Sequence, residues 1–262
     1  MTSNTTVLWG AKGGVGTTTV AATIALSDPR PTTLIDLDGD LPALLGLPEP
    51  TGPGLTDWLA TTESAAALDE LTLEVGPTTR VLPRGGQPLT DSPDRWHGLT
   101  RWAEAHGPVV VDAGTGRPSP HVTDGANKVL VTRACYLALR RAIAEPRDVD
   151  GVILVTEQGR ALHSRDVEAA LGARVIAEVP VDPSIARAID AGLLASRIPR
   201  TLQRNLEPAV ALNVADPEVP QQQETPRGAA AAFPAATSQM TRFDDRAGIT
   251  PAARGIEAPG LG

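Results

Sequence analysis

The chain has 262 residues, 41% of them hydrophobic, with a formal charge of −8 at pH 7 and one cysteine. That length holds one full α/β domain with chain to spare, and the lone Cys135 excludes an internal disulfide framework. The negative balance excludes a molecule drawn as a whole to DNA or anionic lipid. No apolar run reaches the ~18 residues of a membrane span and no apolar leader follows Met1, so a soluble, cytoplasmic protein is expected.

Taken in chain order, the segment from Thr5 to Gly10 is β-rich and runs into the glycines of Lys12 to Gly16. Residues from Val20 to Leu26 then read as a helix, giving strand, glycine-rich turn, helix. The chain has only two lysines, Lys12 and Lys128, and one of them falls in that turn. A second strand is predicted from Thr32 to Leu37, ending in Asp36-Leu-Asp38 and followed by Gly39-Asp40. Helical stretches follow near Leu55–Ala60 and Ser64–Leu71, and a strand near Arg80–Pro83. Ser92-Pro93 starts a helix that runs to about His106, with Trp96, Leu99 and Trp102 on one side.

Pro108-Val-Val-Val-Asp112 has the unbroken apolar character of a strand buried on both faces of a parallel sheet, as do Val129–Thr132 and Gly151–Val155. A helix from Tyr136 to Ala144 separates the last two, Ser164 caps another that Gly172 stops, and a strand runs from Arg174 to Val179. Asp182-Pro183 caps the helix bearing Ile185 and Ile189. Strands alternating with helices predict a doubly wound, mainly parallel sheet with helices on both faces over residues 1–213. Residues 214–262 are rich in Pro, Ala and Gln and bury too little apolar surface to offset chain entropy, so a disordered tail is expected there.

The turn Lys12-Gly-Gly-Val-Gly-Thr-Thr-Thr19 stands where a phosphate loop belongs, between a strand and a helix. Gly13, Gly14 and Gly16 let the backbone curl around Val15 so that successive N–H groups point inward, beside the positive end of the next helix. Thr18 would offer a hydroxyl to Mg²⁺ and Thr19 a hydrogen bond to an α-phosphate; a tight structural turn is the plainer alternative. The motif resembles the deviant Walker A loop of the ParA/MinD family, K-G-G-x-G-K-[ST]-[ST].

That resemblance implies a P-loop fold, ATP or ADP bound with Mg²⁺, and a homodimer formed on ATP binding, Lys12 of each subunit reaching the other's phosphates. The pattern's second lysine is Thr17 here. A cation ~4 Å from a unit negative charge is worth about 4 kcal/mol at an effective dielectric of 20, before its own desolvation is subtracted. Threonine keeps a donor and loses that charge, so nucleotide would bind more weakly and hydrolysis would be weak or absent. A threonine at this position is similar to the TadZ/CpaE branch, proteins that localise pilus-assembly machinery.

Leu34-Ile-Asp-Leu-Asp38 resembles the family's Walker A′ strand: Asp38 would orient the attacking water and Asp36 would support the metal shell. A solvated turn is the alternative. Val109-Val-Val-Asp112 resembles Walker B, whose acid holds Mg²⁺ through water. Pro180 and Asp182 match the late segment that lies against adenine, though Asp182 reads equally well as a helix cap.

His97, His106, His121 and His163 show no metal-ligand spacing, and no G-x-S-x-G elbow supports a serine hydrolase. Trp58, Trp96 and Trp102 fit a core or a subunit contact better than a stacking platform. Arg197, Arg200 and Arg204 recur near helical spacing, as a solvated face or as a surface toward DNA or a protein. No amphipathic membrane helix is legible in residues 214–262. The leading expectation is a nucleotide-dependent dimerising switch that recruits a protein partner. Its alternatives are a DNA-partitioning ATPase and a scaffold that binds no nucleotide.

Overall fold

The computed structural model describes residues 4–144 and 148–212. The tail expected at residues 214–262 lies outside them. In chain order the elements are β1 (Thr5–Gly10), α1 (Thr17–Ser27), β2 (Thr32–Asp36), α2 (Leu41–Leu44), α3 (Leu55–Leu59), α4 (Leu68–Leu71), β3 (Leu73–Val75), β4 (Thr79–Leu82), α5 (Pro93–Glu104) and β5 (Val109–Thr115). They continue with α6 (Pro120–Thr123), β6 (Asn127–Arg133), α7 (Tyr136–Ala144), β7 (Gly151–Thr156), α8 (Ser164–Leu171), β8 (Val175–Pro180), α9 (Pro183–Asp190) and α10 (Arg200–Leu212).

The strands form one eight-stranded sheet in the order β3-β4-β2-β5-β1-β6-β7-β8. Every pairing is parallel except β3 with β4 at the edge. The chain leaves β1 toward β2 on one side and later returns to β6 on the other, so the sheet changes winding direction beside β1. Ligands of open α/β sheets bind outside the carboxyl ends of the strands at such a point.

Side-chain alternation splits the core into two layers. Val7, Trp9, Ile35, Val109, Val111 and Leu154 face one layer, where α3, α5, α7 and α8 contribute Trp58, Trp96, Trp102, Leu139 and Val167. Leu8, Leu34, Val110, Val131 and Ile153 face the other, covered by Val20 and Ile24 of α1 and by Leu202 and Leu206 of α10. Three tryptophans are therefore core, as expected from the sequence, and full burial of each large apolar side chain is worth about 1.5–3 kcal/mol. Ala21, Ala22 and Ala25 of α1 are completely buried, and their small side chains hold that helix close against the sheet and α10.

The capping expectations meet the structure with one shift. Asp182 caps α9 by accepting the Ser184 N–H at 2.7 Å, and Gly172 ends α8 in the left-handed region. The cap of α8 is His163, one residue before Ser164, and the His163 N–H donates to Asp166 at 2.8 Å. The sheet edge β3 was not anticipated, because three residues are too few to show a period.

Candidate functional site

The carboxyl end of β1 turns at Gly10 into the loop 11–16, and Gly16 caps α1 with φ of 98°. Gly14 also has positive φ, at 73°, a region that glycine enters without steric cost. Gly10 is needed for a different reason. A Cβ there would lie 2.6 Å from Val15 Cγ2 and 2.9 Å from Thr17 Oγ1, so the loop folds directly over it. Gly13 and Gly14 are exposed, Val15 is buried beneath the loop, and the positive end of α1 opens above Gly16.

A cleft of about 230 Å³ lies over this turn, lined by Gly14, Gly16, Thr17, Thr18, Thr19, Asp38 and Gly114 among others. It adjoins a second, largely apolar slot of about 180 Å³ that shares Gly16 and Thr19. The slot's far wall carries Val179, Pro180, Asp182, Ile185 and Ile189. One polar and one apolar compartment thus meet at the start of α1. The apolar one contains the two residues expected beside a base, Pro180 and Asp182. The Asp182 carboxylate is already engaged, since it also accepts the Thr201 hydroxyl at 3.3 Å.

The acids gather on the other side of the loop. Asp36 and Asp112 are register partners on β2 and β5, and both are fully buried. Burial raises the Asp36 carboxyl to about 6, against the pull of three backbone amides. It raises Asp112 to about 7, against the Gly114 N–H and the nearby Thr18 hydroxyl, while Asp36 and Asp38 add repulsion.

The two acids have different surroundings. Asp36 Oδ1 accepts the N–H groups of Asp38 at 3.1 Å and Gly39 at 2.7 Å, and its Oδ2 accepts that of Leu41 at 3.2 Å. Its carboxylate is the hub of the turn that carries Asp38. Asp112 Oδ1 accepts the Gly114 N–H at 3.1 Å, whereas Oδ2 is buried and makes no hydrogen bond. An orphaned carboxylate oxygen beside the Thr18 hydroxyl is a donor set that suits a hard divalent cation. Among the described residues no three His, Cys, Asp or Glu side chains converge as a metal cage, so most ligands of such a cation would come from a phosphate chain and water.

Asp38 lines the polar cleft, its carboxyl group resting on the Cα of Gly114, whose φ is 64°. Burial and neighbouring Asp40 raise its proton affinity, opposed by Arg84. Arg84 donates from Nε to the Leu37 carbonyl at 3.1 Å, which fixes a cation beside this turn. No local pattern points to Arg84, since it follows β4, far along the chain. Lys12 lines neither compartment, and its Nζ folds onto the Gly13 carbonyl at 3.1 Å. Thr17 is buried at the base of the polar cleft.

Past α2 the chain turns at Gly46 and lies on Gly192, at the turn after α9. A Cβ on Gly192 would sit 3.2 Å from Gly46 Cα, so the two turns meet backbone to backbone.

No family model matches the sequence, and no protein of curated function matches it. Solved structures do share its fold. A chain of the MinC:MinD cell division protein complex of Aquifex aeolicus aligns over 84% of this chain and 99% of its own, with a TM-score of 0.65 at 17% identity. A ParA family ATPase of Chlorobium tepidum aligns over 81% and 99%, with a TM-score of 0.60 at 20% identity. The septum site-determining protein MinD of Pyrococcus horikoshii, solved with Mg-ADP, aligns over 80% and 94%, with a TM-score of 0.62 at 16% identity. The chain therefore has the P-loop fold of MinD- and ParA-type ATPases. No helix among its described residues is long and apolar enough to cross a membrane.

Proposed function

We propose that this protein is a nucleotide-dependent dimerising switch of the ParA/MinD type, binding ATP or ADP with Mg²⁺ at the loop from Lys12 to Thr19. The observation that carries this reading is the buried, unpartnered Oδ2 of Asp112, whose carboxyl group neighbours Thr18, directly behind a cleft lined by Thr18, Asp38, Gly114 and the glycines of the loop. Gly13, Gly14, Val15 and Gly16 would cradle the phosphate chain with Thr17 and Thr19 on its flank. Pro180 would meet the base in the apolar slot, with Asp182 shaping the slot as the cap of α9. Thr18 and Asp112 would hold Mg²⁺, which would supply positive charge to neutralise the phosphates. Asp36 acts through the turn that it organises, and Asp38 is the residue set to orient water.

Lys12 is free to act outside its own cleft, because its ammonium holds only the adjacent Gly13 carbonyl in the described chain. Bridging two subunits needs a cation in this outward position. With Thr17 in the lysine position, turnover is slow and the ATP-bound dimer is long-lived. A long-lived dimer suits a protein that marks a place for a partner assembly, such as the pilus or secretion machinery served by the TadZ/CpaE branch. Light scattering with ATP·Mg²⁺ tests this directly: wild type shifts to dimer mass, and Lys12→Ala stays monomeric while still binding nucleotide. A wild-type chain that stays monomeric at saturating ATP·Mg²⁺ overturns the switch. Calorimetry that finds no saturable ATP heat leaves the non-binding scaffold.

A DNA-partitioning ATPase is the second reading, favoured by an exposed groove of about 840 Å³ in which Arg187, Arg197 and Arg200 lie together at α9 and the start of α10. It predicts salt-sensitive DNA binding that Arg200→Ala weakens.

A further inference from the structure

We propose that Arg133 is the cation that holds the nucleotide's phosphate chain in this site, in place of the lysine absent at position 17; the assignment rests on the nucleotide reading above. Arg133 ends β6, the strand beside β1. Val131 is the register partner of Gly10, so Arg133 stands two residues past the level at which β1 becomes the loop. It lines the apolar slot together with Val15, Gly16 and Thr19, and the last two also line the polar cleft. Among the described residues lining the two compartments, Arg133 is the one cation.

Its bonding points the same way. Nε of Arg133 is buried and makes no hydrogen bond, although a buried charged donor left unpaired is costly. The surrounding wall is mostly aliphatic, with Val15, Val20, Val155, Val179, Ile185 and Ile189. The carboxylate of the slot, Asp182, is occupied by the Ser184 N–H and the Thr201 hydroxyl. An anionic oxygen arriving between Gly16 and Thr19 would complete that donor, and a charge-assisted bond there is strengthened by the apolar wall. Lysine at position 17 would enter the cleft from α1; arginine at position 133 enters from β6. The two routes deliver positive charge to the same loop from neighbouring elements.

Calorimetry with ATP·Mg²⁺ on wild type, Arg133→Gln and Arg133→Lys tests the assignment, with circular dichroism melts as the folding control. A wild type without ATP heat sinks the nucleotide reading itself, before Arg133 is in question. With wild-type binding established, Arg133→Gln weakens ATP binding about tenfold to a hundredfold. Arg133→Lys keeps most of the affinity. Arg133→Met, which matches the apolar wall, repeats the charge-free test should the glutamine variant fail to fold. Unchanged ATP affinity in a folded charge-free variant overturns the proposal. So does an equal loss in Arg133→Lys, because shape rather than charge would then be what the site uses.

Discussion

The carboxyl group of Asp38 lies directly on the Cα of Gly114, two residues past Asp112, so a methyl group at position 114 and the observed Asp38 conformer exclude each other. Gly114 also has φ of 64°, which strains any other residue. Gly114→Ala is expected to cost about 1–3 kcal/mol of stability. Because it pushes Asp38, the residue set to orient water, out of the cleft, it also lowers ATP turnover, read as phosphate release by the folded variant, while ATP-driven dimerisation is kept. Unchanged turnover would show that Asp38 acts from another position.

Thr17→Lys restores a cation at the base of the polar cleft. The Coulomb gain of about 4 kcal/mol at an effective dielectric of 20 is an upper bound, since lysine must be desolvated at a buried position. The expected result is roughly tenfold tighter ATP binding by calorimetry, equivalent to about 1.4 kcal/mol. No gain would place the phosphate chain away from residue 17.

Asp182→Ala separates a structural from a binding role. The carboxylate accepts from the Ser184 N–H and the Thr201 hydroxyl, so its loss frays the start of α9. A modest fall in melting temperature is expected, with ATP affinity close to that of wild type. A collapse in affinity without a stability change would make Asp182 a direct base contact.

Asp36 and Asp112 make the protein's stability depend on pH. Both hold their protons more tightly in the fold, at about 6 and about 7, than in the unfolded chain, whose aspartates titrate at 3.8. The folded state therefore binds more protons than the unfolded state across that interval, and stability falls as pH rises. The contribution is complete below about pH 4 and lost as pH passes through 6 and 7. Thermal melts without nucleotide or metal should give lower midpoints at pH 8 than at pH 5. Asp112→Asn should flatten that slope and stabilise the protein at pH 8 by about 1–3 kcal/mol. A midpoint that rises with pH would mean that the two acids are ionised throughout.

Much of this architecture is readable from local pattern. The strand, glycine-rich turn and helix at Thr5–Ser27, the acids Asp36 and Asp112 on their apolar strands, and the Asp182 cap all involve residues close in the chain. The sheet order is not local, and neither is anything that depends on it. Asp36 shows the limit: the family resemblance implies a residue supporting a metal, and its two oxygens hold the amides of Asp38, Gly39 and Leu41. A side chain that bonds its own turn has the same sequence signature as one aimed at a ligand. Arg84 and Arg133 reach the site only because β4 joins β2 and β6 joins β1. The one sequence clue to a cation elsewhere was the threonine at position 17, which marks what is missing without saying what supplies it.

The apposition of Gly46 and Gly192 fastens the stretch after the aspartate turn to the stretch after α9. Side chains between them would act as springs, taking up small displacements by changing rotamer. Here peptide meets peptide, and nothing compressible lies in the joint. A shift that begins where Asp36 gathers its amides has a stiff route through α2 to the helix bearing Ile185 and Ile189. A metal and a base bound as proposed would lie at the two ends of that stiff path.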